Sequence, residues 1–172
     1  MEAIVLEVRA VDVEQKLEHA VRLLRKAYEK QRAGDLEEAI SLYKASIAEH
    51  PTAEAHTYLG WTYSFQGRYD EAIEQCKIAI RVDPEFGNPY NDIGSYLIQK
   101  GQLDQAIPWL ELAKKAPRYE PRHFPYLNLF RVYMKLGILD AAQREYEQAR
   151  FIQQSQEIAS GAPEDEGTAT VN

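Results

Sequence analysis

Four glycines recur along the chain at spacings of 33, 34 and 36 residues, and each precedes an alanine by five positions. The four pairs are Gly34/Ala39, Gly67/Ala72, Gly101/Ala106 and Gly137/Ala142. A fixed period of this length is typical of stacked repeats, in which each unit buries its apolar face against its neighbours. The sequence therefore predicts a repeat fold, and it moves the search for function from an active site to a surface.

Each unit has the pattern of two helices joined by a tight turn. Apolar residues recur with a helical period before each glycine, and a second such run follows it after acidic residues. The glycine suits the left-handed conformation that ends a helix, and acidic residues favour the positive end of the next helix. Pro51 and Pro84 are expected to end the second helix of their units. Alanines such as Ala72 and Ala106 are expected to be buried where the paired helices touch. The fold class predicted is all-α, with about four helix-turn-helix repeats.

The second unit carries a specific set of residues at fixed offsets: His56, Leu59-Gly60, Tyr63, Ala72, Cys76, Ala79 and Pro84. In this set the chain resembles the tetratricopeptide repeat (TPR) family. The resemblance implies a right-handed superhelix, or α-solenoid. Departures from the family pattern are Lys26 and Lys30 in the first unit and Phe130 in the fourth. The resemblance implies that residues 20–153 form the repeat domain, with repeats at about 20–52, 53–86, 87–122 and 123–153. Residues 1–19 are then an N-terminal capping segment with the start of the first helix. Residues 154–172 are the end of the last helix and a disordered acidic tail.

The N-terminal segment 3–11 is too apolar for a free tail. Asp12 followed three residues later by Gln15 resembles a capping box, which predicts that the first long helix runs from near Val13 to Ala33. Residues 3–11 would then form a short extended or helical piece. This piece either folds back over the first repeat as a cap or docks onto a partner or a second copy of the chain.

Prolines crowd the junction of the third and fourth units, at Pro117, Pro121 and Pro125. Because proline fixes the backbone before a helix and cannot continue one, a longer loop is predicted at about residues 117–123. Pro108 is expected in or just after the first turn of a helix that Asp104 caps.

Composition excludes several classes of protein. Cys76 is the single cysteine, which rules out an internal disulfide and favours a reducing, cytoplasmic location. No apolar run is long enough to cross a bilayer, and the first residues lack the pattern of a secretory signal. The net charge of −7 argues against a nucleic-acid partner, which would need a basic face.

No combination of residues points to catalysis. His19, His50, His56 and His123 are scattered without metal-ligand spacing, and no cysteine accompanies them. His56 and Cys76 fall at packing positions of their repeat. The sequence therefore predicts neither an enzyme nor a cofactor or metal site.

The family resemblance implies that the first helix of every unit lines a concave groove. Trp61 stands out there as a candidate hot spot for binding, unless Tyr28 and the N-terminal segment cover it. Polar residues on the same helices include Ser64, Asp92, Ser95 and Gln99. The groove candidates are Tyr28, Arg32, Trp61, Phe65, Asn88, Asn91, Leu127, Asn128, Arg131 and Lys135.

Two kinds of function remain open. The favoured one is a non-catalytic adaptor that binds a peptide or protein segment in the groove. The alternative is a structural subunit, or a self-associating protein, that uses its ends or its convex face. A clamp for a C-terminal carboxylate is not predicted, because the basic residues do not match the family's clamp and Asp92 would oppose it.

Overall fold

The computed structural model describes the backbone of residues 2–160 and the side chains of residues 13–159. Within that part of the chain it contains eight α-helices and no strand. They are α1 (Glu2–Ala33), α2 (Leu36–Glu49), α3 (Ala53–Phe65), α4 (Tyr69–Val82), α5 (Asn88–Gln99), α6 (Leu103–Lys115), α7 (Phe124–Leu136) and α8 (Leu139–Ser160). The predicted all-α fold of paired helices is confirmed.

The chain divides into two compact units, Met1–Glu120 and Pro121–Asn172. The first unit contains three hairpins, formed by α1 with α2, α3 with α4, and α5 with α6. Successive hairpins pack on each other, since α3 also contacts α1, α2 and α5. The second unit contains the single hairpin of α7 and α8.

The repeating glycines and alanines have the roles that the period predicts. Gly34, Gly67, Gly101 and Gly137 all have a positive φ, between 71° and 86°, at the turn between the two helices of a hairpin. This left-handed conformation strains any residue that has a Cβ atom. The alanines at positions 39, 72, 106 and 142 are buried, because their small side chains lie where the paired helices approach. The turn and the close approach together explain why the period is visible in the sequence.

Two of the predicted helix boundaries are wrong. α1 begins at Glu2 and not near Val13, so the backbone of residues 3–11 continues the first helix. No proline or glycine interrupts residues 2–33, so nothing in the backbone stops the helix at Asp12. α6 begins at Leu103 after Gln102, which places Pro108 inside the helix.

Other predicted boundaries agree with the structure. α2 and α4 end two residues before Pro51 and Pro84. A connection of residues 116–123 separates α6 from α7, close to the predicted loop. The packing of side chains at residues 3–11 and the predicted disorder of residues 161–172 lie outside the part of the chain that is described.

The connection after α6 also fastens the third hairpin to the second. Phe86 and Arg118 form an isolated β-bridge, in which the Gly87 amide donates to the Arg118 carbonyl at 2.7 Å. A Cβ atom on Gly87 would lie 2.5 Å from the Cβ of Tyr119, whose side chain is buried. Gly87 is therefore required here for close approach and not for a turn.

A buried polar contact joins the first three helices. The hydroxyl of the fully buried Tyr43 donates to Gln31 Oε1 at 2.7 Å, and the Thr62 hydroxyl lies 3.0 Å from the same oxygen. The Thr62 hydroxyl also lies 2.8 Å from the Tyr58 carbonyl, so it has an acceptor of its own. Tyr43 therefore depends on Gln31 more than Thr62 does.

Replacing Gln31 by leucine is expected to lower the free energy of unfolding by about 1–3 kcal/mol, since it leaves the Tyr43 hydroxyl buried without an acceptor. Adding Tyr43→Phe to that variant should recover part of the loss, because the unpaired hydroxyl is then gone. Urea denaturation followed by circular dichroism measures both. A Gln31→Leu protein as stable as wild type, or a double variant with no recovery, contradicts this role of the contact.

Candidate functional site

A row of aromatic side chains runs from α1 along α3 in the first unit. It lies on the face formed by α1, α3 and α5, which we call the inner face. The ring centroids of Tyr28 and Tyr58 are 5.6 Å apart, those of Tyr58 and Trp61 6.3 Å, and those of Trp61 and Phe65 5.4 Å. Their positions on α3 recur at helical spacing, so the side chains share one side of that helix. The row is a continuous apolar surface within the first unit.

Two members of the row remain exposed. Trp61 is 39% exposed and Phe65 is 55% exposed, so Tyr28 covers Trp61 at most in part. Tyr28 and Tyr58 are half-buried. Large aromatic side chains dominate the energetics of many protein interfaces, and these two are accessible to a ligand.

A pocket of about 290 Å³ lies beside the exposed end of this row. Trp61 and Ser64 on α3 form one wall, and the other residues come from α4 and α5. On α5 the lining positions are separated by three and four residues, as expected for one face of a helix. The lining consists of Trp61, Ser64, Tyr69, Asp92, Ser95, Tyr96 and Gln99.

Asp92 is the only acidic residue in the lining of this pocket. Burial raises the pKa of its carboxyl group to about 7, and a hydrogen bond with the Asn91 side chain offsets only part of that rise. The carboxyl group takes part in no ion pair within residues 13–159. The inner face therefore carries a partly desolvated acid without a cation.

Tyr96 is the second polar group of the pocket. It is 5% exposed, and its hydroxyl is buried without a protein partner of hydrogen-bonding geometry in the described residues. Burial raises its pKa, the nearby Asp92 adds to the rise, and the Ser64 hydroxyl beside it offsets a part. The Ser64 hydroxyl itself donates to the Trp61 carbonyl at 2.7 Å.

The structure places the ten groove candidates of the sequence in two groups. Tyr28, Arg32, Trp61, Phe65, Asn88 and Asn91 lie in the first unit, and Leu127, Asn128, Arg131 and Lys135 lie in the second. Among the first group, Asn88 donates to the Glu120 carbonyl at 3.4 Å, and Asn91 is buried beside Asp92. In the second group Asn128 is buried and Arg131 donates to its side-chain oxygen at 3.3 Å. The accessible candidates of the first unit are thus mainly Arg32, Trp61 and Phe65.

The sequence did not indicate two of the pocket residues, Tyr69 and Tyr96. Tyr69 is the first residue of α4 and Tyr96 lies on the packed side of α5, and neither is among the residues predicted for the groove. Their rings are 6.2 Å apart. The only available signal was the spacing of four residues between Asp92 and Tyr96, which places them on one side of a helix.

The structure agrees with the packing roles predicted for His56 and Cys76. His56 is buried and its Nδ1 lies 2.8 Å from Gln75 Oε1, while Cys76 is fully buried. Burial raises the pKa of the Cys76 thiol, which disfavours the reactive thiolate. Across the described residues no group of three or more histidine, cysteine or acidic side chains could hold a metal ion. In the same part of the chain, no helix has the length and apolar character needed to cross a bilayer.

Comparison with known proteins supports the fold. An uncharacterized protein of Haemophilus influenzae is 26% identical over 66% of this chain and 63% of its own length. The chain spans a smaller share of the length of four other curated relatives that it matches, between 13% and 22%.

Solved structures resemble the chain at low sequence identity, which shows the fold alone. PilF of Pseudomonas aeruginosa superposes with a TM-score of 0.76 at 18% identity, over 81% of this chain and 64% of PilF. The second TPR domain of Spaghetti (RPAP3), bound to the HSP90 peptide SRMEEVD, gives a TM-score of 0.56 at 22% identity, over 59% of this chain and 95% of that domain.

The family model of the tetratricopeptide repeat matches residues 24–85 and, in a second overlapping match, residues 59–121. Together the two matches cover more than half of the chain, from the C-terminal part of α1 to the connection after α6. The helix pairs, the left-handed glycines and the buried alanines fit the same repeat. The chain belongs to the tetratricopeptide repeat family.

Proposed function

We propose that this protein is a non-catalytic interaction module that binds a peptide or protein segment on the inner face of its first unit. The observation that carries the proposal is the pair of exposed aromatic side chains, Trp61 and Phe65, at the end of the aromatic row. An exposed tryptophan packed against a second aromatic ring is a rigid apolar anchor that loses little conformational entropy on binding.

The pocket beside these rings supports the same proposal. Its volume of about 290 Å³ is at the lower end of the roughly 300–1,000 Å³ typical of drug-sized ligands, which suits a single side chain of a longer ligand. A protein segment would lie along the aromatic row and place one side chain in the pocket. The solved TPR domain with the HSP90 peptide provides a distant precedent for peptide binding on this fold.

Replacing Trp61 by alanine is expected to weaken binding of a peptide ligand by about tenfold or more, since the apolar anchor is lost. Random peptides displayed on phage and selected on the wild-type protein supply the ligand, and fluorescence polarisation gives its Kd. Glu74→Ala is the matched control, because Glu74 is exposed on α4 and does not line the pocket. Each variant must keep the helix content of the wild type.

Two outcomes contradict the proposal. One is that the wild type selects no peptide, and the other is that the wild type and the Trp61→Ala variant bind a selected peptide equally well.

Sedimentation at several protein concentrations tests the alternative of a self-associating or structural subunit. A stable complex of the pure protein that blocks the inner face would favour that alternative.

A further inference from the structure

The pocket on the inner face combines three features that together describe its ligand. The first is the carboxyl group of Asp92, which is partly buried and takes part in no ion pair within the described residues. Lys100, the residue that follows α5, pairs with Asp70. An acid in this situation gains most from a cation that arrives with a ligand, because burial has already removed part of its hydration.

The second feature is Tyr96, a pocket residue whose hydroxyl is buried beside Ser64 and has no partner of hydrogen-bonding geometry among the described residues. Buried polar groups without a partner are rare in folded proteins, and each one calls for an explanation, such as a functional role or a bound water or ion. The phenolic oxygen can accept a hydrogen bond from an ammonium or guanidinium group. Tyr96 follows Asp92 by one helical turn, so both groups serve the same pocket.

The third feature is the ring of Trp61, which forms part of the opposite wall on α3. The face of a tryptophan ring attracts cations more strongly than that of any other side chain. The pocket volume of about 290 Å³ is large enough for one long side chain.

We propose that this pocket binds a lysine or arginine side chain of the protein segment that lies on the inner face. The cationic group sits between the Asp92 carboxylate and the Trp61 ring, with the Tyr96 oxygen as an additional acceptor. The acidic net charge of the chain, −7, favours the approach of such a basic segment. This inference rests on the proposed function and specifies the chemistry of its ligand.

The test uses single amino acid derivatives as probes. Nα-acetyl-arginine amide and Nα-acetyl-lysine amide are titrated into the ¹⁵N-labelled full chain, and amide and indole resonances are followed by NMR. Saturable shifts are expected at the Trp61 indole and at the α5 residues of the pocket. The neutral isostere Nα-acetyl-citrulline amide should bind about tenfold more weakly, because it lacks the charge.

Asp92→Asn should weaken the arginine probe by about tenfold while preserving the shape of the pocket. Glu74→Gln is the control, since it removes the same charge from an exposed position on α4. Equal binding of arginine and citrulline probes, no shift with either cation, or an unchanged affinity in Asp92→Asn would each overturn the proposal.

Peptides selected on the wild type distinguish this proposal from the broader proposal that the inner face binds a peptide. If the pocket binds a cation, the selected peptides share a lysine or arginine, and selection on Asp92→Asn loses that preference. Peptides that depend on Trp61 but share no basic residue would overturn the cation pocket and leave the proposed peptide binding intact. Failure to select any peptide would instead contradict the proposed function, while the probe titration still decides the chemistry of the pocket.

Discussion

Replacing Leu110 by alanine is expected to lower the free energy of unfolding by about 2–5 kcal/mol. Leu110 is 0% exposed and lies on α6, where its side chain packs against Gly94 of α5. A Cβ atom built on Gly94 would lie 2.5 Å from both Cγ and Cδ2 of Leu110. The leucine therefore fills the space that the glycine leaves empty, and its removal creates a cavity between the two helices.

Replacing Gly94 by alanine tests the same contact from the other helix. In an ordinary helix, Gly→Ala stabilises by about 1 kcal/mol, because alanine is the better helix former. Gly94→Ala should instead destabilise by about 1–3 kcal/mol, since the new methyl group overlaps Leu110. In the Leu110→Ala background the same change should become neutral or favourable, because the overlapping atoms are gone.

Chemical denaturation of the wild type, the two single variants and the double variant measures this coupling. Leu112→Ala is the matched control: Leu112 is on the same helix but 47% exposed, and its replacement should cost less than about 1 kcal/mol. If Gly94→Ala has the same effect in both backgrounds, the contact between these two residues does not set the spacing of the third hairpin.

The parts of the fold that the sequence predicts are those that the repeat imposes on every unit. A left-handed turn accepts glycine with least strain, and a close helix crossing accepts only a small residue, so both leave a visible period. Gly34 with Ala39 and Gly67 with Ala72 are examples, and each has the expected conformation or burial. Such signals are local and recur, which is why a single sequence contains enough information to find them.

The features that escaped prediction depend on contacts between segments far apart in the chain. The β-bridge of Phe86 with Arg118 joins two loops, and neither loop has a pattern of its own. Asn91 has the spacing of an inner-face residue, but the packing around α5 buries it. The predicted start of α1 was wrong for another reason. Asp12 and Gln15 fit a capping box, yet no residue before them breaks the helix.

The candidate site was predicted in part. Trp61 and Phe65 were expected in the groove because of the family resemblance, and their exposure supports their place in the proposal. Asp92 lies on one of the helices predicted to line the groove, but only the structure shows that it is partly buried beside Tyr96, whose hydroxyl has no partner of hydrogen-bonding geometry in the described residues. Burial and pairing are properties of the packed hairpins, and a linear pattern does not contain them.

The Asp92→Asn variant is expected to become more stable than the wild type as the pH rises from 5 to 8. Burial raises the pKa of Asp92 to about 7 in the folded protein, whereas an aspartate in an unfolded chain has a pKa of about 3.9. The folded state therefore binds this proton more tightly than the unfolded state. The resulting stabilisation is complete below the unfolded pKa, declines between pH 4 and 7, and is lost above the folded pKa.

A difference of about three pKa units corresponds to about 4 kcal/mol, which is an upper bound because Asp92 is partly exposed. Between pH 5 and pH 8, we expect the difference in stability between the variant and the wild type to change by about 2 kcal/mol. The other titratable groups around Asp92 are Tyr69 of α4, Cys76 of α4, Tyr96 of α5 and Tyr119 of the connection after α6. Burial raises the pKa of Cys76, Tyr96 and Tyr119 above this range in the folded state, so these three groups stay protonated there in both proteins from pH 5 to pH 8.

Urea denaturation of both proteins at the two pH values checks this result. Glu74→Gln provides the control, because it makes a matching carboxyl-to-amide change at an exposed position on α4. A constant difference between Asp92→Asn and wild type would show that the carboxylate is well solvated or already paired. The predicted dependence would mean that the protein keeps an acid in its pocket at a cost in stability when no ligand is bound. An acid that destabilises the fold, at a position where an amide of the same shape would not, is best explained by a role in binding. The lysine or arginine side chain proposed for this pocket would remove that cost by pairing with the carboxylate.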